Sequence, residues 1–201
     1  MAKAVAIAAK RPVLVDMIGA RGALFNIALI AGGVVLTAAA AQLYIPMWPV
    51  PITGQTFAVL LVGATLGAWR AGVSMATYVV LGGLGLPIFT EQSSGWSVIA
   101  GPTGGYLIGF ILASILVGWM AQLRWDRSFL RAPLTFLAGT VVMYAAGLPW
   151  LSVALGQLGY PNSLQDTLTA GLYPFIVGDV LKMVLAGVLL PVTWKFINRT
   201  K

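Results

Sequence analysis

Two residues of this chain stand where charge is most costly. Asp179 and Lys182 lie within residues 174–192 (PFIVGDVLKMVLAGVLLPV), a stretch with no other charge. At the centre of a membrane-spanning helix each would cost roughly 2.5–3.5 kcal/mol on insertion scales. Their i, i+3 spacing places them on one helix face, where they partly neutralise each other. One reading is structural: an ion pair internal to the helix or stitching it to a neighbour. The other is a polar ligand site facing the bundle interior. There the carboxylate accepts N–H bonds, and the ammonium holds a carbonyl or a carboxylate. With no nucleophile or metal beside it, such a pair suits binding better than catalysis.

Further polar groups gather near helix ends. Gln55 and Thr56 follow the rigid stretch 46–51 (PMWPVP), and Tyr78 lies in an apolar run. Residues 86–103 carry Glu91, Gln92, Ser93, Ser94 and Trp96, then lead into 101–106 (GPTGGY) with Gly104 and Tyr106. That Gly- and Pro-rich segment either aims backbone N–H groups at a cavity beneath a loop lid or is a helix start with ordinary turn chemistry. Much chemistry is excluded. Without cysteine or histidine there is no disulfide, no Cys/His metal site and no imidazole acid–base scheme. No Walker A, H-E-x-x-H or G-x-S-x-G motif occurs, and the single membrane aspartate lacks the second that an aspartyl protease needs.

The elements that must position these residues follow from composition. Of 201 residues, 59% are hydrophobic and 8% charged, against roughly 45–50% and 25% in soluble domains. That is the composition of an integral membrane protein. We expect an all-α bundle of six transmembrane helices at 23–43, 54–68, 71–85, 104–123, 132–148 (ended by Pro149) and 169–196 (with Pro174 and Pro191 inside). The second and third are short: two spans, or a hairpin turning at Arg70. Residues 1–22 and 197–201 flank the membrane domain 23–196 as cytoplasmic segments, and residues 1–22 lack the apolar core of a signal peptide.

Charge supports this count. With the N-terminus cytoplasmic, Lys3, Lys10, Arg11, Arg21, Arg70, Arg124, Arg127, Arg131, Lys195, Arg199 and Lys201 all fall inside, and the outer loops 44–53, 86–103 and 149–168 hold no basic residue. This is the positive-inside pattern, with N-in and C-in termini. The net charge of +7 therefore reflects topology, and no nucleic-acid partner is expected. Trp48, Trp96 and Trp150 would mark the outer interface, and Trp69, Trp125 and Trp194 the inner, with Trp119 a turn away. Asp179 lies nearer the outer surface, which suits loading from outside. In the first span, small residues at four-residue spacing (Ala28 with Gly32, and Gly33 with Thr37 and Ala41) permit close helix approach, within the bundle or to a partner.

Residues 52–57 (ITGQTF), 78–87 (YVVLGGLGLP), 101–106 (GPTGGY) and 178–182 (GDVLK), in this order, resemble the BioY family, the biotin-specific S components of energy-coupling factor transporters. The resemblance runs from about residue 23 to residue 194. It implies a six-helix protein of the prokaryotic plasma membrane that captures biotin from outside. It also implies partners: a transmembrane coupling protein and two ABC-type ATPases that supply the ATP hydrolysis this chain cannot perform. No cofactor is implied; biotin is cargo. The family's Asp-x-x-Lys motif carries over to Asp179 and Lys182, with Gln55, Gly104 and Tyr106 as secondary ligand contacts and Tyr78, Trp96 and Tyr173 as pocket walls. Ala28-x-x-x-Gly32 corresponds to the family's docking motif for the coupling protein. Bound biotin would leave one buried negative charge to be answered by a helix N-terminus near Gly104, a proton or a cation. The alternatives are an S component for thiamine or riboflavin, and a membrane scaffold in which the Asp–Lys pair is structural.

Overall fold

The computed structural model describes residues 12–20 and 22–199; Lys3, Lys10, Arg11, Arg21 and Lys201 lie outside these. The chain is helical almost throughout: α1 (Ala23–Ala41), α2 (Gln55–Leu66), α3 (Ala68–Gly83), α4 (Trp96–Ala100), α5 (Gly104–Gln122), α6 (Arg131–Gln157), α7 (Leu164–Gly171) and α8 (Ile176–Arg199). Between α1 and α2, strands β1 (Tyr44–Ile45) and β2 (Ile52–Thr53) pair antiparallel and close the proline-rich loop. Helices α1, α5, α6 and the run 164–198 are long and apolar enough to cross a membrane, and α2 is a shorter apolar helix. The chain is a multi-pass membrane protein.

Helix α5 is the axis of the bundle. Two-thirds of it (67%) is buried, against 17% of α1, and it packs on α2, α3 and α6. Small residues permit the closest approaches: a Cβ at Gly118 would strike the backbone of Gly67 and Ala68, and one at Gly109 the backbone of Met143. Outward-facing residues of α1, α6 and α8 such as Leu24, Val35, Val141, Val177 and Val188 stay exposed, as expected where lipid is the solvent.

Four expectations are corrected. The reversal between the second and third spans lies at Gly67, not Arg70. Gly67 has φ +81°, which glycine adopts without penalty, and Gly118 leaves room for the turn against α5. Arg70 instead sits in the first turn of α3, donating to Asp16 Oδ1 at 2.9 Å and Asn26 Oδ1 at 2.9 Å.

Pro149 does not end the fifth span, since α6 runs on to Gln157. A proline removes one intrahelical bond, and the burial of Leu151, Ala154 and Leu155 beyond it holds the helix together.

The last apolar run is not one helix. It breaks at Leu172 (φ −128°, ψ −57°) and a 3-10 turn, Tyr173–Phe175, containing Pro174. Asp179 therefore lies in the first turn of α8, not mid-helix, where the positive end of the helix dipole favours a carboxylate.

Trp194 is no interfacial anchor, being 2% exposed. Of the other tryptophans expected near the interfaces, Trp48, Trp69, Trp96, Trp119 and Trp150 are exposed and Trp125 is half-buried.

Candidate ligand pocket

The break before α8 and the start of α2 meet at a cavity of about 580 Å³, within the range of small-molecule sites. Its polar end is a closed hydrogen-bond network. Lys182 Nζ donates to Thr56 Oγ1 (2.6 Å), Asp179 Oδ1 (3.2 Å) and the Thr53 carbonyl (3.4 Å), and Tyr144 donates to Asp179 Oδ2 (2.5 Å). The ion pair is well shielded, with side-chain exposures of 16% for Lys182 and 8% for Asp179. Ammonium and carboxylate are thus both satisfied, which a buried charge requires. Each carboxylate oxygen has one partner and keeps further lone-pair capacity.

The walls divide by chemistry. Met47, Trp48, Leu107, Phe110, Met143 and Phe175 supply apolar surface. Gln55, itself 5% exposed, is a further polar residue of the lining. Its side-chain oxygen accepts from Thr53 and Thr90 (3.1 Å each), and its nitrogen donates to Tyr78 Oη at 2.7 Å. Tyr78 in turn donates to the Ile88 carbonyl at 2.9 Å. The segment 88–93 roofs one side of the cavity and is held from beneath. Gln42 donates to the Phe89 carbonyl (2.9 Å) and accepts from the Gln92 N–H (3.2 Å), while the Phe89 ring meets Tyr78 edge-on at 5.4 Å. Opposite, the Trp48 and Tyr160 rings lie 4.4 Å apart, joining the proline-rich loop to the segment after α6.

Of the residues expected at the site, Asp179, Lys182, Gln55 and Tyr106 line the cavity, and Tyr78, Gly104, Trp96 and Tyr173 do not. Tyr78 is fully buried behind Gln55 and supports that residue and the roof. Gly104 is a packing glycine, since a Cβ there would collide with the Ile99 carbonyl. Trp96 is 59% exposed and packs on Gly83. Tyr173 is 45% exposed, because the 3-10 turn sends it outward and Phe175 inward. Tyr106 has a second role, donating to the Gly171 carbonyl at 2.8 Å and so tying α5 to the end of α7.

Sequence reading passed over Tyr144, together with Thr140 and Met143 on the same α6 surface. A four-residue spacing of hydroxyls in an apolar helix is a weak signal, and only the contact with Asp179 gives it meaning. Among the described residues no cluster of acidic, histidine or cysteine side chains could hold a metal ion.

The two small-residue faces of α1 part company. Gly33, Thr37 and Ala41 are buried, with a Cβ at Gly33 meeting Ser74 and Val62. Ala28 and Gly32 instead line a shallow external groove of about 180 Å³ with Leu36, Val62 and Thr65, and Gly33 forms its inner edge.

A helical membrane protein with a mostly apolar cavity that carries a shielded ion pair has the features of a small-molecule site. Comparison with known proteins gives the family. Residues 11–199 match the model of the BioY family, and the chain belongs to that family. It is 36% identical to the biotin transporter BioY of Thermotoga maritima over 74% of this chain and 83% of that one. It is 35% identical to a probable biotin transporter BioY of Pyrococcus horikoshii over 82% and 93%. Among solved structures it resembles the S component for biotin from an ECF-type ABC transporter, with a TM-score of 0.69 and 26% identity over 90% of this chain and 92% of that one.

Proposed function

We propose that this chain is a biotin-uptake protein, the membrane component that captures biotin for an ATP-driven transporter. The observation that carries this reading is the ion pair of Asp179 and Lys182 at the wall of a large, mostly apolar cavity. Biotin has matching parts: a ureido ring with two N–H donors and one carbonyl, an apolar thioether ring and a flexible acid tail. In this reading Asp179 accepts from the ureido N–H groups and Lys182 turns from Thr53 toward the ureido carbonyl. The ring system rests on Phe110, Met143 and Phe175, Gln55 and Tyr106 flank it, and the tail runs toward the roof segment.

The wider assignments follow the same reading. The chain spans the plasma membrane six times with both termini cytoplasmic, an orientation supported by the one-sided distribution of lysine and arginine. It has no ATPase site of its own and works with a transmembrane coupling protein and two ABC-type ATPases. The exposed groove at Ala28 and Gly32 is the docking face for the coupling protein, because small side chains allow helices to approach closely in lipid.

Thermal unfolding of the purified chain in detergent, with and without biotin, tests the ligand. A molecule that binds only the folded state raises apparent stability by an amount set by its concentration over Kd. A clear rise with biotin, and none with thiamine or riboflavin, is expected. No shift with biotin would refute the assignment.

A further inference from the structure

The roof of the cavity stands on one residue of α3. The Phe89 ring lies over Gly82, where a Cβ would strike it, and the Gly95 N–H donates to the Gly82 carbonyl at 2.8 Å. Phe89 is 2% exposed, so this foot is fixed in the core. Between the two feet, residues 90–94 form an arch of which Thr90, Glu91 and Ser93 line the cavity. Inside it, the Phe89 N–H donates to the Ser93 carbonyl at 3.1 Å, and Ser93 donates through its N–H and its hydroxyl to the Thr90 carbonyl. The crown, Glu91 and Gln92, has two successive left-handed backbones, φ 60° and 53°. That conformation is costly for residues with a Cβ and persists where surrounding structure holds it.

Among the described residues, two side chains from other elements hydrogen-bond to the arch and its first foot. Gln55 accepts from Thr90 at 3.1 Å and belongs to the cavity lining. Gln42, at the C-terminal end of α1, lies outside that lining. Its Oε1 accepts from the Gln92 N–H, in the crown, at 3.2 Å. Its Nε2 donates to the Phe89 carbonyl at 2.9 Å and to the Ala38 carbonyl one turn back at 3.4 Å. One amide thus spans the arch from foot to crown. The helix that carries it, α1, is the least buried of the four long apolar runs, at 17%. The clamp therefore ties the roof to the element whose displacement disturbs the core least.

We propose that Gln42 is a positioning residue for ligand exchange: it clamps the arch shut, and the cavity fills and empties when that clamp releases. The inference rests on the biotin reading above. Because Gln42 does not line the cavity, it acts equally on the empty and the loaded protein. A lid held in this way limits entry and exit by the same factor, whereas a residue that touches the ligand changes mainly the exit rate.

The test measures association and dissociation of radiolabelled biotin on the full chain in detergent. Gln42→Met nearly keeps the volume and deletes both bonds to the arch. It should raise both rates about tenfold, the scale of one or two neutral hydrogen bonds, and leave Kd within about threefold. Gln42→Glu retains the acceptor for the Gln92 N–H and loses the donor, so its rates should fall between those of wild type and Gln42→Met. The opposite manipulation exploits the lack of native cysteine. In a double variant, Gln42→Cys with Gln92→Cys, a short reducible thiol cross-linker should slow both rates below wild type, and reductant should reverse this. A Gln42→Met protein in which dissociation alone quickens, or neither rate changes, overturns the inference. So does a cross-linked protein that exchanges biotin as fast as its reduced form, a result that decides the matter even if Gln42→Met fails to fold. Each of these results leaves the biotin reading standing. Wild type that captures no biotin overturns that reading, and this inference with it.

Discussion

Asp179 and Asp126 are both buried aspartates, 6% and 0% exposed, and they are built for opposite ends. Asp179 has a partner on each oxygen, Lys182 and Tyr144, and borders a cavity. Asp126 lies in the 3-10 turn Trp125–Arg127 between α5 and α6 and borders no such cavity. Its Oδ2 accepts from Trp194 Nε1 of α8, and its Oδ1 has no hydrogen-bond partner. The Arg127 guanidinium stacks 3.7 Å over the same indole and donates to the Pro12 carbonyl. The second cluster is a staple, fastening the end of α8 to the loop beneath α5 and to the N-terminal segment. A buried carboxylate becomes a binding group when its neighbours leave it room and spare lone pairs, and a structural one when packing closes over it.

The largest test of this contrast removes the proposed binding pair. Asp179→Asn and Lys182→Ala should each weaken biotin binding by about a hundredfold or more, in line with the roughly 2–5 kcal/mol lost when one member of a buried charged pair is truncated. Titration calorimetry would measure it, and unchanged affinity in both variants would remove the site.

Next is the staple. Burial pushes the Asp126 carboxyl up to about 6, against the opposing pull of the Trp194 N–H and the Arg127 charge. Since the unfolded carboxyl titrates near 3.9, the folded chain holds a proton between these values that the unfolded chain releases. Its contribution is therefore fully present below pH 4 and lost as pH rises through 6, on the order of 3 kcal/mol in total. The melting temperature of wild type relative to Asp126→Asn should fall by several degrees between pH 4.5 and 7.5. Biotin affinity in Asp126→Asn should stay within about twofold, since the two clusters share no partner.

A smaller effect separates positioning from binding. Tyr144→Phe deletes one donor to Asp179 at almost constant volume. It should cost about tenfold in biotin affinity, the value of one hydrogen bond to a charged group, with little change in melting temperature. An affinity equal to wild type would show that Asp179 needs no help from α6. Smallest is Tyr78→Phe, which leaves Gln55 and the Ile88 carbonyl each short of a partner. Melting temperature should drop by a few degrees and affinity by about threefold, since the lost hydrogen bonds act on the ligand only through Gln55. A tenfold loss of affinity would mean that Tyr78 reaches the ligand.

Much of the site was legible because charge in an apolar run is conspicuous: Asp179 and Lys182 stand out from composition alone. Gln55 and Tyr106 followed from motifs at helix starts. Trp96 and Tyr173 were placed on the wall because aromatic residues near a pocket look alike in sequence, whichever way a loop or a 3-10 turn sends them. The helix boundaries moved for a similar reason. An apolar run such as 169–196 has the same composition whether it is one helix or two, and only the break at Leu172 and Pro174 brings Asp179 to a helix start.

By itself, the sequence determined that this is a membrane protein and which pair of charges lies within its apolar runs. Those are statements about the cost of charge in hydrocarbon, and they hold for any packing of the helices. The tertiary structure alone decided that Tyr144, 35 residues before Asp179, bonds to it, and that Gln42 reaches the roof segment. It also decided that Trp194 seals a staple and does not anchor at the interface. When helices are apolar on every face, hydropathy cannot say which side meets lipid and which meets a neighbour. Glycine contacts such as Gly118 against Gly67 choose that rotation, and with it the few polar groups that meet.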